Sequence, residues 1–202
     1  MELKHAEKLV FATNNLHKIE EVNAMAEGKL SLLSLKEIGC LEDIPETAET
    51  FEGNALLKAG HIFDNYHYNC FSDDSGLEVE ALDNKPGVYS ARFAGEPANH
   101  SKNNELLLNL LKGKSNRSAR FRTVICLIIN GYVHYFEGIV NGSISEIARG
   151  ENGFGYDPVF VPQGYQKTFA EMSADEKNSI SHRRLAVNHL LEYLKKSGYI
   201  NG

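Results

Sequence analysis

Residues 72 to 78 read Ser-Asp-Asp-Ser-Gly-Leu-Glu and follow directly on the apolar pair Cys70 and Phe71. Like charges crowded where a strand is expected to end need a reason. On an extended segment neighbouring side chains point to opposite faces, so Asp73 and Asp74 need not share one task. One can serve structure and the other chemistry. Hard carboxylate oxygens suit Mg2+, which keeps several waters and is held by one or two carboxylates together with substrate phosphates. Ser75 can hydrogen-bond a phosphate or a carboxylate, and Gly76 allows close backbone approach or a positive φ. A solvated Asp-Ser-Gly turn is the plainer alternative.

Three further segments put polar groups where ordered elements give way to loops. Rigid elements can hold polar groups there without burying them unpaired. Thr13-Asn14-Asn15-Leu16-His17-Lys18 lies between a strand-like and a helix-like stretch. The amides of a helix start bind anions, Thr13 and Asn15 add neutral hydrogen-bonding groups, and Lys18 adds positive charge, so phosphate is a natural guest. The alternative is an ordinary polar turn with an Asn N-cap. Neither GxxxxGK[ST] nor GxGxxG occurs there. In residues 151 to 160, Gly153 and Gly155 flank Phe154, with Tyr156 and Asp157 next. A base can stack on such a ring, or the ring can tuck into the core. In residues 176 to 186, Lys177, His182, Arg183 and Arg184 bring donors to the start of the last expected helix, where the dipole does not favour cations. Either a ligand acceptor or salt bridges from Asp175 or Glu176 offset that mismatch. Residues 86 to 95 add a Pro-Gly turn before a strand-like run bearing Arg92, which can pair with a carboxylate or reach a phosphate.

The elements that must position these groups alternate between strand and helix periods, so the fold class is α/β. Residues 8 to 13 read as a short buried strand, and 15 to 27 change to helical spacing through Ile19, Val22 and Met25 or Ala26. A second helix is expected over Phe51 to Tyr66, with Ala55, Ala59, Ile62 and Phe63 on one face. A third runs through the Leu106, Leu107, Leu110, Leu111 stripe, with Ser101 as N-cap and Gly113 as stop. Asn130-Gly131 splits two β-rich runs and signals a type I′ hairpin, which makes the sheet mixed. A strand is expected at Pro158 to Val161, and a final helix at Ser181 to Lys196, with Lys195 and Lys196 in its last turn.

Composition bounds the possibilities. The 202 residues, 42% hydrophobic and 24% charged, suit one globular domain, with two lobes at most. No apolar run approaches the ~18 residues of a membrane span, and the N-terminal stretch has no secretory pattern, so no membrane partner and a cytoplasmic location are expected. Cys40, Cys70 and Cys126 have no CxxC spacing and read as buried free thiols. A formal net charge of −6 argues against broad nucleic-acid binding, which needs many cations to replace phosphate counterions.

Taken in order, Phe-Ala-Thr-Asn-Asn-Leu-His-Lys (11–18), the Ile-Pro-Glu-Thr-Ala-Glu-Thr-Phe-Glu-Gly-Asn-Ala-Leu-Leu-Lys-Ala stretch (44–59), residues 72 to 95, Gly-Phe-Gly-Tyr-Asp-Pro-Val-Phe (153–160) and residues 176 to 186 resemble the inosine triphosphate pyrophosphatase family. The resemblance spans nearly the whole chain. It implies a long central mixed sheet flanked by helices, two lobes around a cleft, and a homodimer. The implied reaction is Mg2+-dependent hydrolysis of ITP, dITP and XTP to the nucleoside monophosphate and pyrophosphate. By motif, Thr13 to Lys18 would cradle the triphosphate, Asp74 would hold the metal and activate water, and Glu46 would be the second acidic group at the metal. Ser75 would contact substrate, Phe154 would stack on the purine, Gly155, Tyr156 and Asp157 would belong to that pocket, and Lys177, His182 and Arg183 would address the base. Such donors suit the 6-oxygen of hypoxanthine or xanthine, which accepts, and leave the amine of adenine unpaired.

The chain departs from the family pattern at Ala48, where glycine is usual, and at Gly53, where a second glutamate is usual. Asn14 also stands where glycine is common. The missing carboxylate keeps open a nucleotide-binding protein that has lost catalysis. The septum-inhibitor type of nucleotide pyrophosphatase is disfavoured by Ser181-His182-Arg183, and a purely structural protein would make four polar clusters at element ends a coincidence.

Overall fold

The computed structural model describes residues 8–26 and 30–200. The N-terminal reading therefore falls mostly outside the described residues, as does Glu27 at the end of the first expected helix. Among the described residues seven strands form one mixed sheet: β1 (Leu9–Phe11), β2 (Leu32–Leu33), β3 (Cys70–Val79), β4 (Lys85–Pro86), β5 (Ser118–Ile129), β6 (Tyr132–Ile144) and β7 (Phe160–Pro162). Their order is β2-β1-β3-β5-β6-β7, with β4 paired to β3. The β1 strand runs parallel to β2 and β3, whereas β4 and β7 pair antiparallel. Among the described residues five α-helices accompany the sheet: α1 (Leu16–Ala26), α2 (Phe51–Tyr66), α3 (His100–Leu110), α4 (Ala174–Ile180) and α5 (His182–Lys196).

The chain divides into two compact units. The first comprises residues up to Asp74, Thr123–Gly138 and the segment from Arg183 onward; the second comprises Ser75–Arg122 and Ile139–His182. In the first unit the period-2 alternation of the strands feeds two cores. Leu9, Phe11, Phe71, Ile125, Leu127 and Ile129 pack with Val22 and Met25 of α1 and with Ala186, Val187, Leu190 and Leu194 of α5. The alternate residues Val10, Ala12, Cys70, Cys126 and Ile128 pack with Ala55, Ala59 and Ile62 of α2. A sheet covered on both faces explains why β1 and the start of β3 are buried at every position. In the second unit Leu77, Val79, Leu107, Leu111, Phe121, Tyr156, Phe160, Phe169 and Met172 form a separate core.

Helix α2 has its expected bounds, because Thr50 accepts the Gly53 N–H at 3.0 Å and His67 closes the other end in left-handed geometry. The Asn130-Gly131 turn has positive φ at both residues, 52° and 84°, as a type I′ hairpin requires. All three cysteines are buried free thiols.

Four expectations need correction. The N-cap of α3 is Asn99, which accepts the Lys102 N–H at 3.0 Å, and Ser101 lies inside the helix. The run bearing Arg92 is a 3-10 helix, Gly87–Arg92, and not a strand. Residues 176 to 186 do not open one helix: Ser181 is extended and separates α4 from α5, and Glu176 closes a capping box with Ser173 instead of pairing with a cation. Finally, β3 does not end at Phe71 but continues to Val79. What ends is its neighbour: the β1–β3 register stops at Phe11↔Phe71, so Asp73 and Asp74 lie just past the end of β1.

Candidate active site

In the first unit, the acidic pair of β3 is exposed to partners that β1 would otherwise exclude. The Thr13–Lys18 turn follows the end of β1. Thr13 Oγ1 accepts the Asn15 N–H at 3.2 Å, and Asn15 Oδ1 accepts the Lys18 N–H at 3.3 Å, so the Asn N-cap is real. Asn14, Asn15, Leu16 and His17 face solvent, and no acidic residue occupies the first turn of α1. The cap does not by itself exclude an anion at this turn, because an N-cap satisfies only part of a helix's N-terminal amides.

The two aspartates have opposite surroundings, as a pleated strand requires. Asp73 Oδ1 receives Lys18 Nζ at 3.0 Å, and its Oδ2 receives Arg183 Nε at 3.4 Å. Arg183 also pairs with Glu21 of α1. Burial alone would raise the Asp73 carboxyl, but the charges of Lys18, Arg183 and Lys58 outweigh it and hold the group well below the carboxylate range. Arg183 is only 2% exposed, and burial opposes its charge, yet Asp73 and Glu21 more than compensate. Burial draws the Lys18 ammonium below its ordinary value against the pull of Asp73.

Asp74 instead receives Asn54 Nδ2 at 3.0 Å. Burial pushes its carboxyl up to about 6; Lys58 opposes that rise and the charge of Glu46 adds to it. Asn54 Oδ1 also accepts the Ala48 N–H at 2.9 Å, tying the loop that carries Glu46 to the helix that supports Asp74. Lys58 of α2 pairs with Glu46 and donates to the Asp73 carbonyl at 2.7 Å. Burial works against its ammonium, and Glu46, Asp74 and Asp73 outweigh that cost.

Asn54, Lys58 and Glu21 were not among the candidates read from sequence. Asn54 and Lys58 carry a legible signal: two polar residues four apart, beside Ala55 and Ala59 on the apolar face of a helix, must have buried partners. The structure groups Arg183 with Lys18 and Asp73, and places Lys177 and His182 in the other unit.

In the second unit, Asp157 Oδ2 accepts both the Phe154 N–H and Lys177 Nζ at 2.8 Å. The Lys177 ammonium lies 4.8 Å from the Phe154 ring centroid, so one buried carboxylate fixes both the aromatic and the cation beside it. Gly153 is obligatory: its φ is +74°, and a Cβ there would fall 2.1 Å from Asp157 Oδ2. Asn104 Nδ2 holds the Gly155 carbonyl at 2.9 Å. Tyr156 points into the core and donates its hydroxyl to the Ser90 carbonyl at 2.9 Å. His182 lies flat on Phe121, with centroids 4.6 Å apart and rings 7° from parallel. Ser75, half-buried, follows Asp74 on β3.

Ionised groups buried beside the ends of parallel strands, next to the start of a helix, are an arrangement that α/β proteins use for phosphorylated ligands. The chain belongs to the Ham1 family, whose profile matches residues 9–193. It is 55% identical over 189 residues to the dITP/XTP pyrophosphatase of Porphyromonas gingivalis, covering 93% of this chain and 97% of that protein. It is 53% identical over 188 residues to the dITP/XTP pyrophosphatase of Flavobacterium psychrophilum, covering 93% and 99%. Among solved structures, the Ham1 protein of Staphylococcus aureus superposes with a TM-score of 0.87 at 39% identity, covering 94% of this chain and 99% of that one. A HAM1 protein from Coxiella burnetii gives 0.88 at 36% identity, covering 94% and 98%.

Proposed function

We propose that this chain is a nucleoside triphosphate pyrophosphatase: a single domain that hydrolyses ITP, dITP and XTP to the nucleoside monophosphate and pyrophosphate, working as a cytoplasmic homodimer. The observation that carries the reading is the divergence of the two aspartates. Two adjacent carboxyls pushed apart in proton affinity mark a division of labour between a permanently ionised anchor and a group able to exchange a proton near neutrality. Asp73 is the anchor and Asp74 the reactive carboxylate. The names of the relatives and the five matched motifs support the substrate class.

In this reading the amides of Thr13 to Lys18 bind the triphosphate, and the Lys18 ammonium, held by Asp73, balances charge on the bond that breaks. Burial raises the Asp74 carboxyl and the charge of Glu46 adds to that rise, a repulsion that a hard divalent cation would relieve. These two residues fit Mg2+, which supplies Lewis-acid stabilisation of phosphate charge when bound. Asp74 orients a water and takes its proton as the water oxygen bonds the α-phosphorus. The α–β bridge breaks and pyrophosphate leaves. Ser75 contacts the substrate, Phe154 stacks on the purine, and Lys177, His182 and Arg183 are assigned to the base. Arg183 is also committed to Asp73 and Glu21, so it serves the base only while anchoring Asp73.

Purified protein with Mg2+ and a panel of ITP, XTP, dITP, GTP and ATP, scored by released pyrophosphate, tests the reading. Preference for the first three is expected; preference for ATP, or silence throughout, rejects it. The alternative of a binding protein without catalysis rests on Gly53, and predicts ITP bound with no pyrophosphate released. The geometry gives Gly53 a packing reason instead, since a Cβ there would meet Ala48 Cβ at 2.5 Å.

A further inference from the structure

Away from the acidic pair, Cys40, Glu42 and His61 bring one sulfur, one carboxylate oxygen and one imidazole nitrogen within 4.8 Å of one another. Among the described residues no other group of three such side chains meets this condition. The three donors come from two elements: Cys40 and Glu42 lie on the loop before α2, and His61 lies in the third turn of that helix. Cys40 is buried at 2% exposure, while the side chains of His61 and Glu42 are 29% and 49% exposed, which leaves an approach from solvent. His61 Nε2 is 3.0 Å from Glu42 Oε1, close to the separation of two ligands on one small cation. The Tyr66 hydroxyl donates to both Glu42 oxygens, at 2.8 and 2.9 Å, an outer contact of the kind that orients a ligating carboxylate.

We propose that Cys40, Glu42 and His61 form a second metal site, selective for Zn2+ or a similar thiophilic ion, with one coordination position open. Thiolate and imidazole favour zinc, and their softness excludes Mg2+, so this site and the oxygen-lined pair Asp74 and Glu46 take different metals. Burial pushes the Cys40 thiol up, so it enters as S–H and one proton leaves as the sulfur–metal bond forms. Glu42 is already ionised; backbone donation, then Tyr66 and His61, bring it down to about 2. To ligate through Nε2 the imidazole carries its proton on Nδ1, and the Asn65 side chain, whose Nδ2 lies 3.4 Å from Nδ1 in the metal-free protein, turns so that its amide oxygen accepts that N–H. Binding would pin the loop leading to Glu46 onto the helix that carries Asn54 and Lys58.

The test uses the untagged chain, freed of metal by chelation and dialysis. Co2+ titration should produce a near-ultraviolet thiolate-to-cobalt absorption saturating at one ion per chain, and Zn2+ should displace it. Zn2+ at about a hundredfold over its dissociation constant should raise the unfolding midpoint by about 5 °C or more, and Mg2+ should not reproduce that rise. Cys40→Ser should abolish the absorption, since among the described residues neither Cys70 nor Cys126 belongs to a comparable group of ligand atoms. His61→Gln and Glu42→Gln, on the solvent side, should each weaken zinc binding at least tenfold while the metal-free proteins unfold as the parent does. Absence of the absorption, its persistence in Cys40→Ser, or an equal zinc shift in parent and His61→Gln overturns the site.

Discussion

Replacing Asp73 and Asp74 in turn by asparagine should change stability in opposite directions, although the two residues are adjacent and the substitutions identical. Asp74 in the folded chain titrates at about 6 against an ordinary 3.8. The difference is about 2 pK units at 1.36 kcal/mol each, so ionised Asp74 costs the fold about 3 kcal/mol. A carboxyl whose folded pKa is raised binds its proton more tightly in the native state, so stability falls as pH climbs from about 4 to about 6 and stays low above. Asparagine keeps the bond from Asn54 Nδ2 without the charge. Asp74→Asn should therefore match the parent at pH 4 and exceed it by about 1–3 kcal/mol at pH 8 with chelator present. Asp73 is the reverse case, because its depressed pKa gives stability that is present above about pH 4 and lost only in stronger acid. Asp73→Asn removes the anion shared by Lys18 and Arg183, and stranding buried cations costs about 3–5 kcal/mol across the same pH range. Urea unfolding at pH 4, 6 and 8, with the slope m checked for constancy, measures both. If Asp74→Asn is destabilised at pH 8, or if both variants move together, the assigned division between anchor and reactive carboxylate is wrong.

Activity should separate the same pair, with Asp74→Asn losing orders of magnitude in kcat while still binding ITP. Lys58→Met removes a charge that draws Asp74 downward, so the acid limb of the pH–rate profile should move to higher pH; an unchanged limb would detach Lys58 from Asp74. Gly53→Glu should cost about 1–3 kcal/mol by overpacking against Ala48, and Ala48→Gly in the same chain should restore most of it. A double-mutant cycle with coupling below about 0.5 kcal/mol would refute that steric account. Phe154→Ala should lower kcat/KM for ITP about 5- to 150-fold, the worth of one stacked base, and a loss confined to kcat would argue against stacking.

Much of the architecture was legible because the strands and helices obey their own periods. Alternation at Leu9, Val10 and Phe11, and again from Ile125 to Ile129, already separates the two core faces. The bounds of α2 follow from Thr50 as cap and the apolar spacing behind it. Boundaries failed where a competing polar residue stood one or two positions away, as with Asn99 against Ser101, or where an extended residue broke a helical run, as at Ser181. Of the candidate site, residue types and segments were readable, but pairings were not. Asp73 meets Lys18 across 55 positions and Arg183 across 110. No local period encodes such contacts.

The end of β3 illustrates why local reading stops there. Two adjacent aspartates after an apolar pair look like the end of a strand, since an interior position normally cannot carry unpaired charge. The chain instead ends β1 one step earlier and lets β3 continue, so the strand itself remains regular while its flank opens. Regularity then assigns the two carboxylates to opposite faces. On one side the residues that close the gap are cations, Lys18 and Arg183; on the other they are Asn54 and, through Lys58, the glutamate on its loop. Burial prevails at Asp74 over the pull of Lys58, and at Asp73 it is outweighed by Lys18, Arg183 and Lys58, so their proton affinities are driven apart. The carboxyl proposed to be reactive thus owes its setting to the unequal lengths of two neighbouring strands, and lengthening β1 past Phe11 would deny both aspartates the partners that distinguish them.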